Sequence, residues 1–229
     1  MTRTHRLLVH GSRGRMGLRI TELAQSDARF TLVGAVDRDT GDAPSGAVDV
    51  IIDFSSPAGT IAAAELASSR GAALLVGTTG LDRPQFDRLD RLASDVAVLM
   101  APNTSLGVAV LRFLTTQATR LLRDWDIDIV ESHHNRKKDA PSGTALALAA
   151  AVKAGGRDLA ADRIHALRGG DIVGEHQVQF AGPGETIRLE HVAVSRDLFA
   201  LGALRAAAWL AEKPAGRYTM EDALGLSAS

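Results

Sequence analysis

The fold is decided by the stretch GSRGRMG at residues 11–17 of the 229-residue chain. It directly follows a short aliphatic run at residues 6–10 and opens an amphipathic stretch at 17–25, as a buried strand followed by a helix would. Glycine here permits a tight turn and lets the backbone approach a pyrophosphate, which N–H groups at a helix N-terminus then bind. The glycine spacing is one residue longer than the common dinucleotide fingerprint, so an ordinary tight turn is the alternative interpretation.

An acidic residue at the end of the next aliphatic run favours dinucleotide binding. The run at 31–36 ends at Asp37, 20 residues after Gly17, where a carboxylate accepts hydrogen bonds from a ribose hydroxyl. Arg38 follows and can pair with the 2′-phosphate of NADPH, so we expect NADH and NADPH both to be used. The predicted cofactor-binding residues of this region are Gly11, Ser12, Arg13, Gly14, Arg15, Met16, Asp37 and Arg38.

Aliphatic runs and helical stretches alternate through the first two thirds of the chain. The runs lie at 6–10, 31–36, 48–54, 72–76, 96–100 and 127–130, and the helical stretches lie at 17–25, 57–70, 84–94 and 106–122. Short runs rich in Val, Ile and Leu are typical of strands buried on both faces of a parallel sheet. The pattern predicts an α/β fold, a Rossmann-like doubly wound parallel sheet.

The last third predicts a smaller α+β domain with a mixed sheet. A helix is expected at 144–154, and alternating runs at 172–180 and 186–194 flank a turn at 181–184 that favours a hairpin. A strand near 163–167 is expected to join it, and a long helix at 197–211 ends before Pro214. The one loop-like gap is at 40–46.

Two further turns follow strands at the same predicted sheet edge. They are formed by Gly77, Thr78 and Thr79, and by Ala101, Pro102, Asn103 and Thr104. Ligands of open α/β sheets bind beyond the carboxyl ends of the strands, so both turns are candidates for contact with the nicotinamide. Taken singly, each is equally compatible with an ordinary loop.

The segment ESHHNRKKDAPSGT at 131–144 predicts capture and reduction of an anion. Ser142, Gly143 and Thr144 open a helix and offer donors suited to a carboxylate. His133 and Lys137 can donate protons or stabilise negative charge. Paired histidines also suggest a metal site. However, adjacent residues on a strand point to opposite faces, and the positive charges of the surrounding side chains disfavour a metal cation, so we expect no metal. A solvated basic loop before an ordinary helix is the remaining alternative.

Composition excludes several classes of protein. The formal net charge of −1 gives no support for nucleic-acid binding. Cysteine is absent, which excludes disulfides, thiolate metal sites and cysteine nucleophiles. No apolar run approaches the ~20 residues of a membrane span, and a core strand near the start leaves no room for a signal peptide. We therefore expect a cytoplasmic protein that binds no membrane.

Seven stretches together resemble the dihydrodipicolinate reductase family, also called 4-hydroxy-tetrahydrodipicolinate reductases. They lie in family order and run through nearly the whole chain. They are GSRGRMG (11–17), IDFSSPAGT (52–60), GTTG (77–80), APNTSLGV (101–108), ESHHNRKKDAPSGTA (131–145), GGDIVGEHQVQFAGPGE (169–185) and SRDLFALGALRAAAWL (195–210).

The resemblance implies a nicotinamide-dependent reductase of a small dicarboxylate and a homotetramer assembled through the smaller domain. It implies a dinucleotide-binding domain at 1–105 and 197–229 and a substrate-binding and oligomerisation domain at 106–196. His133 and Lys137 match the family's catalytic residues, and His134, Ser142, Gly143 and Thr144 match its substrate-binding residues. The cofactor residues named above match its cofactor segments.

Some positions depart from the family pattern. Thr104 replaces a bulky apolar residue of the cofactor loop, and Ala109 replaces a frequent asparagine. The chain is shortened between Asp37 and Val48, so we expect a nucleotide sheet one strand smaller. Two rival functions keep the glycine turn: another reductase, such as an aspartate dehydrogenase, and a non-catalytic nucleotide-sensing module. Neither has a need for the H-H-x-x-K and P-S-G-T combination.

Overall fold

Two sheets organise the chain in the computed structural model, which describes residues 4–38 and 45–226. They belong to two units, Met1–Ser105 with Asp197–Ser229 and Leu106–Arg196. The expected loop at 40–46 lies for the most part outside the described residues. Within the described ranges, no helix is both long and apolar enough to cross a bilayer.

The elements are numbered in chain order. The strands are β1 (His5–His10), β2 (Phe30–Val36), β3 (Val50–Asp53), β4 (Ala73–Val76), β5 (Ala97–Met100), β6 (Asp126–His133), β7 (Ile164–Arg168), β8 (Glu175–Gly182), β9 (Glu185–Val192) and β10 (Gly216–Tyr218). The helices are α1 (Arg15–Gln25), α2 (Pro57–Arg70), α3 (Arg83–Leu92), α4 (Leu106–Leu121), α5 (Gly143–Ala154), α6 (Asp197–Leu210) and α7 (Met220–Ala223).

The first unit contains a six-stranded parallel sheet in the order β10-β5-β4-β3-β1-β2. Every residue of β3 and β4 is buried, because helices cover both faces of such a sheet. Aliphatic side chains of Ile51, Leu74 and Val98 join those of α2 and α3 in the core. The predicted Rossmann-like class is confirmed.

β2 is the edge strand of the sheet, as expected from the shortened segment after Asp37. In the common dinucleotide-binding order a third strand lies outside the second, and no such strand occurs in the described part of this chain. The far edge is instead extended by β10, a three-residue strand paired with β5. β10 was not expected from the sequence, because three residues are too few to show a hydrophobic period.

The second unit contains the mixed sheet β7-β6-β8-β9. β6 runs parallel to β7 and antiparallel to β8, and β8 and β9 form the expected hairpin around Pro183 and Gly184. Gly184 has a φ of 81°, which favours glycine at this position of the turn. The prediction that the run at 127–130 forms a strand of the parallel sheet is wrong, because this run forms part of β6 in the mixed sheet.

Burial along β6 gives the physical reason for that correction. Residues 127, 129, 131 and 133 are buried, whereas the residues between them are not. One face of the sheet therefore packs on a core, in which Ile129 and Phe180 meet Leu148 of α5, while the other face stays open. A four-residue window of the sequence does not distinguish this alternation from burial on both faces.

Candidate active site

The glycine turn joins β1 to α1 with little space to spare. The N–H groups of Gly11 and Ser12 both donate to the carbonyl of Val36, at 2.8 and 3.1 Å. Gly11 has a φ of 78°, and a Cβ on Gly17 would lie 2.1 Å from the Gly11 carbonyl oxygen. Only glycine fits at both positions. α1 then begins after Gly14 without a side-chain cap, which leaves its N-terminal end suited to an anion.

Asp37 connects the end of β2 to this turn. Its carboxylate accepts hydrogen bonds from the backbone N–H groups of Arg13, at 3.0 Å, and Arg38, at 2.8 Å. These two bonds hold the pKa of Asp37 below its usual value, so the group is ionised at neutral pH. The structure therefore places a fixed negative charge beside the glycine turn, next to the exposed Arg38.

The two other predicted cofactor turns meet at the carboxyl ends of β4 and β5. Thr78, Thr79, Ala101 and Pro102 line a cavity of about 120 Å³. The cavity is completed by Val76, Gly80, Leu81, Phe86 and Met100. The sequence predicted both turns, and the structure brings them together in one apolar pocket.

Below Thr78 lies a fully buried carboxylate that the sequence analysis did not single out. Asp53 ends β3 and accepts hydrogen bonds from the hydroxyls of Ser55 (2.5 Å), Thr60 (2.6 Å) and Thr78 (2.8 Å). His10 Nδ1 lies 2.9 Å from the same carboxylate. The Thr78 hydroxyl also accepts from the Ser55 N–H at 2.9 Å, so this side chain is engaged inside the protein.

Thr104 is also engaged inside the first unit. It is 1% exposed, and its hydroxyl donates to the Phe199 carbonyl of α6 at 2.7 Å. The side chain that replaces the family's bulky apolar residue therefore anchors α6. Beside it, Asn103 Oδ1 accepts from the Ser105 N–H at 2.9 Å.

In the second unit, His133 is oriented by a buried carboxylate. Glu131 is 0% exposed, and its carboxylate accepts a hydrogen bond from His133 Nδ1, so Nδ1 carries the ring proton. The ring's other nitrogen, Nε2, faces Gly174, where a Cβ would lie 3.1 Å away. Glycine at 174 thus leaves space beside the nitrogen that can act on a ligand.

Arg168 of β7 provides the positive counter-charge for the Glu131 carboxylate. Its guanidinium donates to both Glu131 oxygens, at 2.9 and 3.0 Å, and the Ser142 N–H donates to Glu131 Oε1 at 3.0 Å. Burial alone would raise the pKa of Glu131, but the hydrogen bonds from Arg168, His133 and Ser142 outweigh it and lower the pKa. Glu131 is therefore ionised although it is buried.

The pKa of His133 is lowered from its usual value. Burial is the largest cause, and the hydrogen bond and charge of Glu131 oppose it without cancelling it. The charges of Lys137 and Arg168 lower the pKa further. His133 is consequently a polarisable group that is mostly neutral at neutral pH.

Ser142 caps α5 instead of presenting its hydroxyl to solvent. It is 2% exposed, and its oxygen accepts from the Ala145 N–H at 3.1 Å. The same oxygen lies 3.2 Å from Nε2 of the buried His176. Burial lowers the pKa of His176 to about 4, so His176 is neutral and shares a hydrogen bond with the Ser142 hydroxyl. Ser142 therefore uses its hydroxyl inside the protein, and the predicted carboxylate donors that remain at this helix end are the backbone N–H groups of Gly143 and Thr144 and the Thr144 hydroxyl.

Lys137 lies in the loop between His133 and α5. Its ammonium pairs with the Asp139 carboxylate at 2.8 Å, and that hydrogen bond lowers the pKa of Asp139. The Lys137 side chain is 22% exposed. His134, the next predicted substrate residue, has its Nε2 at 3.5 Å from Arg196 Nη2. Lys137, His133 and His134 thus lie on the segment from the end of β6 to α5, and Arg196 reaches it at His134.

The arrangement suits acid catalysis on an anion and shows no metal site. Within the described ranges no group of three His, Cys, Asp or Glu side chains could hold a metal ion. Sequence reasoning missed Glu131, Arg168, His176 and Asp53. One signal was present, because position 131 falls on the buried phase of β6 and a carboxylate there requires a partner.

Comparisons with known proteins cover almost the whole chain. The family models described as dihydrodipicolinate reductase, N-terminus and C-terminus, match residues 5–104 and 107–224. The chain is 46% identical to a 4-hydroxy-tetrahydrodipicolinate reductase from Xanthomonas axonopodis pv. citri, over 95% of this chain and 96% of that protein. It is 46% identical to the protein of the same name from Stenotrophomonas maltophilia, over 96% and 97%.

A solved structure shows the same fold. The dipicolinate-bound dihydrodipicolinate reductase from Paenisporosarcina sp. TG-14 superposes with a TM-score of 0.80 at 21% identity, covering 94% of this chain and 97% of that one. The two family models account for both halves of the sequence. The chain therefore belongs to the dihydrodipicolinate reductase family.

Proposed function

We propose that the protein reduces 4-hydroxy-tetrahydrodipicolinate to tetrahydrodipicolinate with NADH or NADPH, a step of lysine and diaminopimelate biosynthesis. Family membership over both halves supports the reaction. The observation that carries it is the Glu131–His133 pair beside Lys137 and the N-terminus of α5, in a chain that also has the glycine turn and Asp37.

The cofactor residues fit a dinucleotide. The uncapped start of α1 suits the pyrophosphate, and Asp37 and Arg38 suit the ribose. The cavity lined by Thr78, Thr79, Ala101 and Pro102 suits the nicotinamide. When bound, the nicotinamide supplies the hydride. The unit formed by Met1–Ser105 and Asp197–Ser229 is accordingly the dinucleotide-binding domain, and Leu106–Arg196 is the substrate-binding and oligomerisation domain.

The second unit binds the substrate and provides the proton. The N–H groups of Gly143 and Thr144, the Thr144 hydroxyl and His134 bind the carboxylates of the substrate ring, and Ser142 keeps the helix end in place. Hydride addition to a carbon conjugated with the ring imine builds negative charge on the conjugated system, and water is lost from the ring. Lys137 donates the proton that neutralises this charge, and His133 stabilises the charge in its protonated form, an imidazolium whose Nδ1–H is bound by Glu131.

A coupled assay tests the reaction. The preceding synthase condenses pyruvate with aspartate-semialdehyde in the cuvette, and oxidation of NADH or NADPH is followed by absorbance. We expect oxidation that depends on both the synthase and this protein. Reduced cofactor that remains unoxidised while the synthase turns over would contradict the proposed function. Oxaloacetate and ammonia, tested in place of the synthase mixture, would reveal an aspartate dehydrogenase.

Thr144→Val tests the carboxylate-binding role of the turn. Removing the hydroxyl weakens substrate binding more than turnover, so we expect a raised KM for the substrate with kcat nearly kept. The measurement is a substrate titration at saturating NADH. A change confined to the KM for NADH would show that the turn does not bind the substrate.

The protein is further proposed to act in the cytoplasm as a homotetramer assembled through the second unit. The open face of its sheet supports this, because residues 175, 177, 179 and 181 of β8 are only half-buried and the edge strand β9 is largely exposed. Light scattering after size exclusion is expected to give four times the 24.1 kDa of one chain. A monomeric mass at assay concentration would refute the tetramer.

A further inference from the structure

Arg168 contacts two separate segments of the candidate site. It lies on β7 directly opposite His133 of β6, and its side chain is 19% exposed. The guanidinium donates to both oxygens of Glu131 and, through Nη2, to the backbone carbonyl of Asp139 at 2.6 Å. Nη1 also donates to the carbonyl of Leu167 at 2.6 Å. One rigid planar group thus fixes two separate segments.

The first segment holds His133. Glu131 accepts the His133 Nδ1 proton through Oε2, the oxygen that also accepts from Arg168 Nη1. Its other oxygen accepts from Arg168 Nη2 and from the Ser142 N–H. Any rotation of the Glu131 carboxylate therefore turns the imidazole and loosens the start of α5 together.

The second segment holds Lys137. The Asp139 carbonyl binds Arg168, and the Asp139 carboxylate binds the Lys137 ammonium at 2.8 Å. The Lys137 N–H donates to the His134 carbonyl at 3.0 Å, so a backbone turn holds the start of this loop next to the end of β6. The Asp139 side chain is exposed, so the bond from Arg168 to the Asp139 carbonyl fixes the backbone that carries this carboxylate.

We propose that Arg168 is a positioning residue for both catalytic side chains, orienting His133 through Glu131 and Lys137 through Asp139. The proposal rests on the proposed function, which assigns the chemistry to His133 and Lys137. Arginine is required because three acceptors in two segments need a planar fork of donors. A lysine ammonium keeps the charge, but it does not present paired donors in one plane.

The test compares Arg168→Met and Arg168→Lys with the matched control Arg163→Met. Arg163 lies just before β7 and pairs with Asp126 and Asp128 of β6, so the control also removes an arginine–carboxylate contact of this sheet. We expect both Arg168 variants to lose at least about tenfold in kcat, because a misplacement of about 1 Å can cost about a hundredfold. The KM for NADH and the activity of Arg163→Met are expected to stay at the wild-type values.

The pH profile separates positioning from support of the fold. Four groups surround His133: Glu131 on its own strand, Lys137 in the loop, Arg168 on β7 and His176 on β8. Loss of Arg168 removes a charge that lowers the pKa of His133, so the limb of the kcat profile that reports His133 moves to higher pH. Glu131→Gln removes a charge that raises this pKa and moves the limb to lower pH.

A purely structural role predicts a lower melting temperature with an unchanged kcat per folded enzyme and an unchanged profile. That result in Arg168→Met, or full activity in Arg168→Lys, would overturn the proposal. If Arg168→Met does not fold, the double variant Glu131→Leu/Arg168→Met replaces the buried pair with apolar groups, a change that is often tolerated. The double variant is expected to fold with low kcat, and wild-type kcat in it would equally overturn the proposal.

Failure of the proposed function has a different signature. Wild-type protein that oxidises no NADH in the coupled assay refutes the reaction and leaves Arg168 to be judged on the direct measurement. That measurement is the imidazole nitrogen resonances of His133 by NMR, for which we expect a protonated Nδ1 in the wild type and a mixture of tautomers in Arg168→Met. Identical tautomers in both proteins would overturn the positioning role without any assay.

Discussion

Lys137 and His133 lie in different electrostatic surroundings, which assigns them different tasks. Lys137 is half-buried, and its ammonium pairs with the ionised Asp139 carboxylate at 2.8 Å. His133 is buried, hydrogen-bonded to an ionised carboxylate and shifted to a lower pKa by burial. We therefore assign the proton donation to Lys137 and the stabilisation of developing charge to the protonated form of His133.

Lys137→Ala is expected to lower kcat by about 10²- to 10⁴-fold, the usual contribution of a positioned proton donor. Affinity for NADH is expected to remain, because the residues assigned to the cofactor lie in the first unit. The neighbouring exposed Lys138 provides the control, and Lys138→Ala is expected to behave as wild type. Steady-state kinetics and NADH fluorescence titration measure the two effects. Near-wild-type turnover in Lys137→Ala would exclude it as the donor.

Asp37 and Arg38 act against each other in the choice of cofactor. The ionised Asp37 repels the 2′-phosphate of NADPH, whereas the exposed Arg38 attracts it. Exposed charge pairs contribute little, so the two effects nearly cancel and we expect a preference of less than about tenfold. The measurement is kcat/KM for both cofactors at one pH and salt concentration. Arg38→Ala is expected to lose efficiency with NADPH and keep it with NADH.

A wild-type preference greater than about a hundredfold would contradict this balance. So would an Arg38→Ala variant that uses NADPH as well as its parent does. Since Asp37 also binds the backbone of Arg13, Asp37→Asn is expected to disturb both cofactors through the glycine turn.

At the scale of the element, the start of α1 depends on the absence of a side chain at residue 17. A Cβ on Gly17 would lie 2.1 Å from a backbone oxygen and 2.7 Å from Ser12 Cα, and neither atom belongs to a flexible side chain. The helix would have to move away from β1. The N–H groups of its first turn, which we assign to the pyrophosphate, would move with it.

Gly17→Ala is therefore expected to destabilise the protein by about 1–3 kcal/mol and to abolish NADH binding at concentrations that saturate the wild type. Gly46→Ala is the matched control, because nothing lies within 4 Å of a Cβ at that position. Urea unfolding and NADH titration are the measurements. Tight NADH binding by Gly17→Ala would show that the turn adapts to a side chain.

At the scale of the whole molecule, buried histidines couple stability to pH. The pKa of His176 is lowered from 6.5 to about 4, and those of His133 and His191 are also lowered, in each case chiefly by burial. A lowered histidine pKa means that the unfolded chain binds the proton first. The stabilisation is complete above pH 6.5 and is lost as the pH falls toward 4.

His176 alone is expected to contribute about 3 kcal/mol to the loss of stability over this interval. The protein has two tryptophans, Trp125 in the second unit and Trp209 in the first, so a Trp209→Phe background lets Trp125 report on the unit that contains His176. His176→Gln is expected to flatten the pH dependence of urea unfolding, and the exposed His165→Gln is the control. Equal slopes in the two variants would contradict the assignment.

Local signals in the sequence determined much of the fold. The aliphatic runs that became β1 to β5, the glycine turn, the acid after β2 and the 181–184 hairpin turn all depend on neighbours within a few residues, so a short window contains the necessary information. The resemblance of the stretch at 131–145 to one family is likewise a property of sequence, and the family assignment is confirmed.

Only the tertiary structure decided which side chains meet across strands. Arg168 reaches Glu131 from 37 residues away, and Thr78 reaches Asp53 from 25 residues away. The register of parallel strands sets these pairings, and no local pattern records that register. The sheet membership of β6 and the existence of β10 depended on it as well. Sequence thus determined the chemical groups of the site, whereas packing determined their partners, because a buried charge must find its counter-charge wherever the fold brings one.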